Sequence, residues 1–229
     1  MTHVDIDSTR PVLLRTVLAA VVAAACSGPA EPEYAPPEYV DCAVFDDSRT
    51  SPYVLPFPVG QRMRVTRTFT HYLPSNGGVG LYAIDIEMPI GSPVHAIRAG
   101  VVVAIEERFS DADHADYHEN WVMIRHADGT VARYIHITTN GALVDLNQTV
   151  AQGQRIALSG NSGASFGPHL HFDVQTCGPN LPPAYNALPC GMTRPLSFRN
   201  TERHSCGLIP GKTYRAEPFE ASSTDRRAG

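Results

Sequence analysis

An all-β domain, built mainly of antiparallel sheet, is the fold class this sequence predicts, and three observations predict it. The apolar residues gather in short runs, among them "RMRVTRTF", "LYAIDI", "WVMIRH", "VARYIHI", "QRIALS" and "HLHFDV", each bounded by Gly, Pro, Asn or Asp as strands are. No stretch carries the long 3.6-residue apolar period of a packed helix. "HADGT", between the runs around Met123 and Val131, places Asp128-Gly129 where a two-stranded hairpin turns. With 43% hydrophobic residues in 229, the chain can bury a core. An antiparallel sheet can also keep one face for a ligand.

Taken in order, residues 1–25 read as an export signal. Arg10 and Arg15 precede the apolar run "TVLAAVVAAAC", which is too short to span a bilayer, and Ala23 and Ala25 suit cleavage before Cys26. "AAAC" also resembles the box at which a bacterial lipoprotein is acylated on cysteine, although Ala23 stands where a larger aliphatic residue is usual. Five cysteines leave one over, and setting Cys26 aside leaves Cys42, Cys177, Cys190 and Cys206 for two disulfides in any of three pairings. The expectation is a lipoprotein of the periplasm or cell envelope attached to a membrane through Cys26; a plainly secreted protein is the alternative.

Residues 26–52, opening with the Pro- and acid-rich "SGPAEPEYAPP", read as a tether, 53–200 as the folded domain, and 201–229 as a C-terminal tail. These make short irregular extensions at either end. A net charge of -5, with 18 Lys plus Arg spread along the chain, excludes a nucleic-acid partner.

Chemistry concentrates in "GPHLHF". Alternate residues of a strand share a face, so His169 and His171 look into one space while Leu170 and Phe172 turn to the apolar side. Asp85 in "YAIDI" and His136 in "RYIHI" interrupt other apolar strands. A buried carboxylate is costly unless paired or bound to a cation. Two imidazoles and a carboxylate make a three-ligand zinc site whose fourth position takes water, and a further histidine beside it can handle protons. Tyr134, two residues before His136, either borders the substrate or packs in the core. His95 and His126 read as strand-surface and turn residues. The loop "DADHADYHEN", with His114 and His118, reads as a solvated acidic loop or as a second metal site.

Three ordered segments resemble the lysostaphin-type or LytM-type zinc metallopeptidases, which cut peptide bridges in bacterial peptidoglycan. "YAIDIEMPIGSPVHAIRAGVVV" is similar to the family's Asp-bearing strand and its Pro-x-Gly-Thr-Pro-Val segment, with Ser92 for the threonine. "NWVMIRHADGTVARYIHI" resembles its Asn-x-Val hairpin and Tyr-x-His strand, and "VAQGQRIALSGNSGASFGPHLHF" its closing His-x-His segment. The resemblance runs from about Tyr53 to Val174. It implies a LytM-like β domain with one zinc per chain on Asp85, His171 and a further histidine, and makes His136 and His169 the catalytic pair, without saying which is the base. In the best-known members the first histidine ligand stands four residues before the aspartate, where this chain has Leu81. A related subgroup takes it from farther upstream, which points to His71 in "TFTHYLPSNGG". The family keeps an asparagine where Asn120 stands, so Asn120 is expected to support the site or border the substrate. The function implied is a zinc endopeptidase acting on peptidoglycan cross-links; the alternative is an inactive relative that regulates wall amidases.

Overall fold

Neighbouring apolar runs pair with one another, and that pairing sets the architecture. The structure, a computed structural model, describes residues 36, 38, 40–69, 80–176 and 193–221. Its strands are β1 (Arg62–Arg67), β2 (Ile84–Glu87), β3 (Pro93–His95), β4 (Gly100–Glu106), β5 (Trp121–Arg125), β6 (Thr130–Ile135), β7 (Ile137–Ala142), β8 (Thr149–Val150), β9 (Arg155–Ser159), β10 (His169–Thr176) and β11 (Thr213–Arg215). Eight form one sheet in the order β11-β1-β2-β10-β6-β5-β4-β8, and three form a second in the order β3-β9-β7. Every strand pair is antiparallel, as expected of the fold class. The β5–β6 hairpin turns through Gly129, whose φ of 82° suits a residue without Cβ.

β10 lies inside the large sheet, with β2 on one side and β6 on the other. Its alternation divides the molecule. Leu170, Phe172 and Val174 have no exposed surface and share a core with Ile84 and Ile86 of β2, Ala132 and Tyr134 of β6, and Val94, Ile137, Ile156 and Ala157 from the smaller sheet. Burying side chains of this size contributes about 1.5–3 kcal/mol each, which fixes the register of β10 and with it the direction of His169 and His171.

The body extends beyond the expected boundaries at both ends. Before residue 53, Val40 is buried, and Cys42 is disulfide-bonded to Cys206 beside Phe45 and Phe69. After residue 200, β11 pairs with β1, and Leu208, Tyr214 and Ala216 enter the main core. A three-residue edge strand is too short to show alternation, so "KTYRA" read as tail. Cys177 and Cys190, the signal, Cys26, the first part of the tether and residues 222–229 lie outside the described residues.

Candidate metal and catalytic site

Cross-strand register assembles the site on the opposite face of the sheet. His171 stands across from Asp85 on β2, and Asp173 stands across from Arg133 on β6. Asp85, His171 and His169 line a cavity of ≈ 520 Å³ together with His136, Arg133 and Glu119, and the fully exposed Phe166 stands among its lining residues. Nδ1 of His171 is 3.0 Å from Oδ1 of Asp85, and Nε2 of His169 is 3.7 Å from the same oxygen.

His136 reaches this face through a break in the strand. Arg133 and Ile135 face the cavity and Tyr134 faces the core, so strict alternation would turn His136 to the core as well. Instead its φ is 63°, a left-handed conformation that costs a non-glycine residue about 1–2 kcal/mol. Its ring centroid then lies 4.6 Å from that of His169 and 6.0 Å from that of His171.

Backbone carbonyls place the ring protons of His136 and His169. Nδ1–H of His136 donates to the carbonyl of Ser162 at 2.7 Å, and Nδ1–H of His169 donates to that of Gly167 at 2.7 Å, so each ring keeps Nε2 as its second nitrogen. Burial, aided by the charges of His169 and His171, pushes the pKa of His136 down to about 3, and it is neutral at pH 7. His171 behaves in the opposite way. Burial opposes its protonation, but the carboxylates of Asp173 and Asp85 more than offset that and push it up to about 9.

Whether a metal fits turns on the donors at the cavity wall: Asp85 offers carboxylate oxygen and His171 imidazole nitrogen, the set that suits zinc. Among the described residues no group of three His, Cys, Asp or Glu is placed to hold a metal. Asp85 and His171 provide two donors, and His71, expected as the third, lies outside the described residues. Leu81 packs against the cluster of Val40, Phe69 and Cys206.

Two expected substrate residues are not at the cavity surface. Tyr134 is buried, and its hydroxyl oxygen accepts a 2.8 Å hydrogen bond from the backbone N–H of Ile97, so the packing reading is the correct one. The break at His136 is the reason: it puts the two side chains on opposite faces. Asn120 is buried too, donating through Nδ2 to the carbonyls of Phe109 and Ile137 and accepting from the N–H of Phe109. Its own N–H donates to Oγ of Ser162, whose carbonyl holds His136, so Asn120 supports the site from beneath.

Two carboxylates of the acidic loop are tied down by neighbours, whereas Asp116 and Glu119 line the cavity. Asp111 accepts from the N–H of Asn161 and from Thr138, and Asp113 pairs with His118 at 2.8 Å. His126 is buried rather than a turn decoration, with Nδ1 2.9 Å from Oγ1 of Thr130. Sequence reasoning did not single out Asp173, Arg133 or Glu119. The alternation that paired His169 with His171 continues to Asp173, and Arg133 is a charge inside the apolar run "VARYI"; those were the signals available.

Residues 80–183 match the model of peptidase family M23. The peptidoglycan DD-endopeptidase ShyA of Vibrio cholerae is 35% identical over 127 residues, which are 52% of this chain and 26% of that protein. The DD-carboxypeptidase/endopeptidase Mpg of Neisseria meningitidis is 34% identical over 106 residues, 46% of this chain and 22% of that one. Among solved structures, the antimicrobial peptidase lysostaphin from Staphylococcus simulans is 25% identical with a TM-score of 0.41, over 58% of this chain and 47% of that one. The chain thus spans about a quarter of the length of these two curated relatives. Asp85, His136, His169 and His171 all lie within the region that matches peptidase family M23.

Proposed function

We propose that this chain is a zinc-dependent endopeptidase that hydrolyses amide bonds in the peptide cross-links of peptidoglycan. The observation that carries the reading is the convergence of Asp85, His136, His169 and His171 on one cavity inside an M23 region. The name of the relative ShyA, a peptidoglycan DD-endopeptidase, supports the substrate class. Asp85 and His171 would hold zinc, with His71 as the third ligand; zinc supplies Lewis acidity and draws a nucleophile from water at neutral pH.

The protein's own groups do the rest. His136, kept neutral and fixed by Ser162, presents Nε2 as a hydrogen-bond acceptor that orients the attacking water. His169, fixed by Gly167, takes the proton as the carbon–oxygen bond forms. Its imidazolium then steadies the negative charge on the former carbonyl oxygen, worth on the order of 3 kcal/mol for one preorganised donor. It returns the proton to the leaving nitrogen as the carbon–nitrogen bond breaks. Export through residues 1–25 and acylation at Cys26 would put the enzyme beside this substrate.

The test is digestion of purified peptidoglycan with mass analysis of the products. The expected result is release of fragments with new amino and carboxyl ends, stopped by chelator and restored by zinc, and lost in His169→Ala. A chain that takes up no zinc, releases nothing and yet stimulates a wall amidase would be the regulator instead.

A further inference from the structure

We infer that Asp173, held by Arg133, is a positioning residue that decides which nitrogen of His171 faces the metal: its carboxylate faces Nε2 and leaves Nδ1 directed at the cavity. This rests on the proposed zinc site and specifies how one of its ligands is oriented.

The imidazole of His171 is bracketed by two carboxylates, one at each nitrogen. Asp85 lies 3.0 Å from Nδ1, and Asp173 lies 3.7 Å from Nε2, within ion-pair range. The two acids are not equivalent. Asp85 lines the cavity, whereas Asp173 has no exposed surface and is not part of the cavity wall. Both oxygens of Asp173 are also engaged by the buried Arg133, with Nε donating to Oδ1 at 2.9 Å and Nη2 donating to Oδ2 at 2.5 Å. A carboxylate clamped in this two-pronged way keeps its charge and its place. It can act on His171 only from behind.

Strand geometry makes the arrangement rigid. Asp173 follows His171 by two residues on the same face of β10, and Arg133 is its direct cross-strand partner on β6. An imidazole that gives one nitrogen to a metal must carry its proton on the other, and a fixed oxygen behind the ring selects that tautomer and holds its plane. A buried ion pair is by itself weak evidence of stabilisation, since apolar replacements are often neutral or better. Here it holds a fixed negative oxygen behind His171.

The experiment uses the full chain, with zinc affinity measured by competition against a chelating dye and the zinc-loaded form studied by long-range ¹H–¹⁵N spectra of the histidine rings. Wild type is expected to show His171 ligated through Nδ1 with the proton on Nε2. Asp173→Asn is expected to bind zinc 10–100-fold more weakly. Because that variant leaves Arg133 buried beside a neutral amide, a second, Arg133→Met/Asp173→Met, removes both charges together. Its thermal midpoint is expected to stay near wild type while zinc affinity still falls at least tenfold. Zinc binding by the double variant within twofold of wild type would show the pair to be a structural tie and overturn the inference. Ligation of wild-type His171 through Nε2 would overturn it whatever the variants do. A wild-type chain that takes up no zinc removes the proposed function and this inference together, whereas the two preceding results remove this inference alone.

Discussion

Replacing Tyr134 by Phe separates core from substrate contact, because it deletes one oxygen and leaves the ring in place. The hydroxyl oxygen accepts from the backbone N–H of Ile97 at 2.8 Å, and neither residue has exposed surface. Without that acceptor the Ile97 amide stays buried and loses this partner, at a cost of about 1–3 kcal/mol. In a folded body of this size 1 kcal/mol lowers the melting temperature by roughly 2–4 °C, so the drop is expected to be roughly 2–12 °C. The assay is thermal unfolding followed by circular dichroism, with zinc affinity and KM on soluble wall fragments measured in parallel. Both of the latter are expected to match wild type. An unchanged melting temperature with a raised KM would refute the reasoning and return Tyr134 to the substrate.

Burial, with the charge of Arg98 adding to it, pushes His126 from 6.5 down to about 3, so between those values the unfolded chain binds the extra proton and stability falls as pH falls. The slope is up to about 1.4 kcal/mol per pH unit, and His126→Gln should remove one proton's worth of it in urea titrations across pH 4–6; an unaltered slope counts against the assignment. Gly163 has a φ of 73°, and a Cβ there would come within 2.4 Å of Cγ and 2.6 Å of the backbone nitrogen of Glu119. Gly163→Ala should therefore shift Glu119 and the neighbouring Ser162 carbonyl and lower hydrolysis on the order of 10–100-fold, with zinc affinity within a few-fold of wild type; full activity would show that the cradle of His136 is not tight. Removing the Cys42–Cys206 bond as the double serine variant should cost about 2–4 kcal/mol in denaturant unfolding, and no change would mean the bond is not formed in solution.

Most of the sheet was legible because its strands alternate. "HLHFDV" separates into a polar and an apolar face by its spacing alone, and "HADGT" names its own turn, so β10, β5 and β6 were readable without coordinates. Asp85 was legible as a charge in an apolar run. His136 stood out as a polar residue in an apolar run and does reach the cavity, but not by the expected geometry, since period-two reasoning put it on the face of Tyr134 and could not foresee a left-handed residue. The contribution of Cys42 and "KTYRA" was hidden for a different reason: each takes its partner from the far end of the chain, Cys206 for Cys42 and β1 for β11. Asp173 and Arg133 were hidden because each gains meaning only from the other across a strand boundary.

The central position of β10 also guards against misassembly. Sliding it by one residue against β2 and β6 would deliver Leu170, Phe172 and Val174 into the wet cleft and bury two histidines and an acid in oil, forfeiting several kcal/mol per misplaced side chain. Packing quality and the convergence of Asp85, His169 and His171 on one cavity are therefore locked to one alignment, and a chain caught partway through folding has neither.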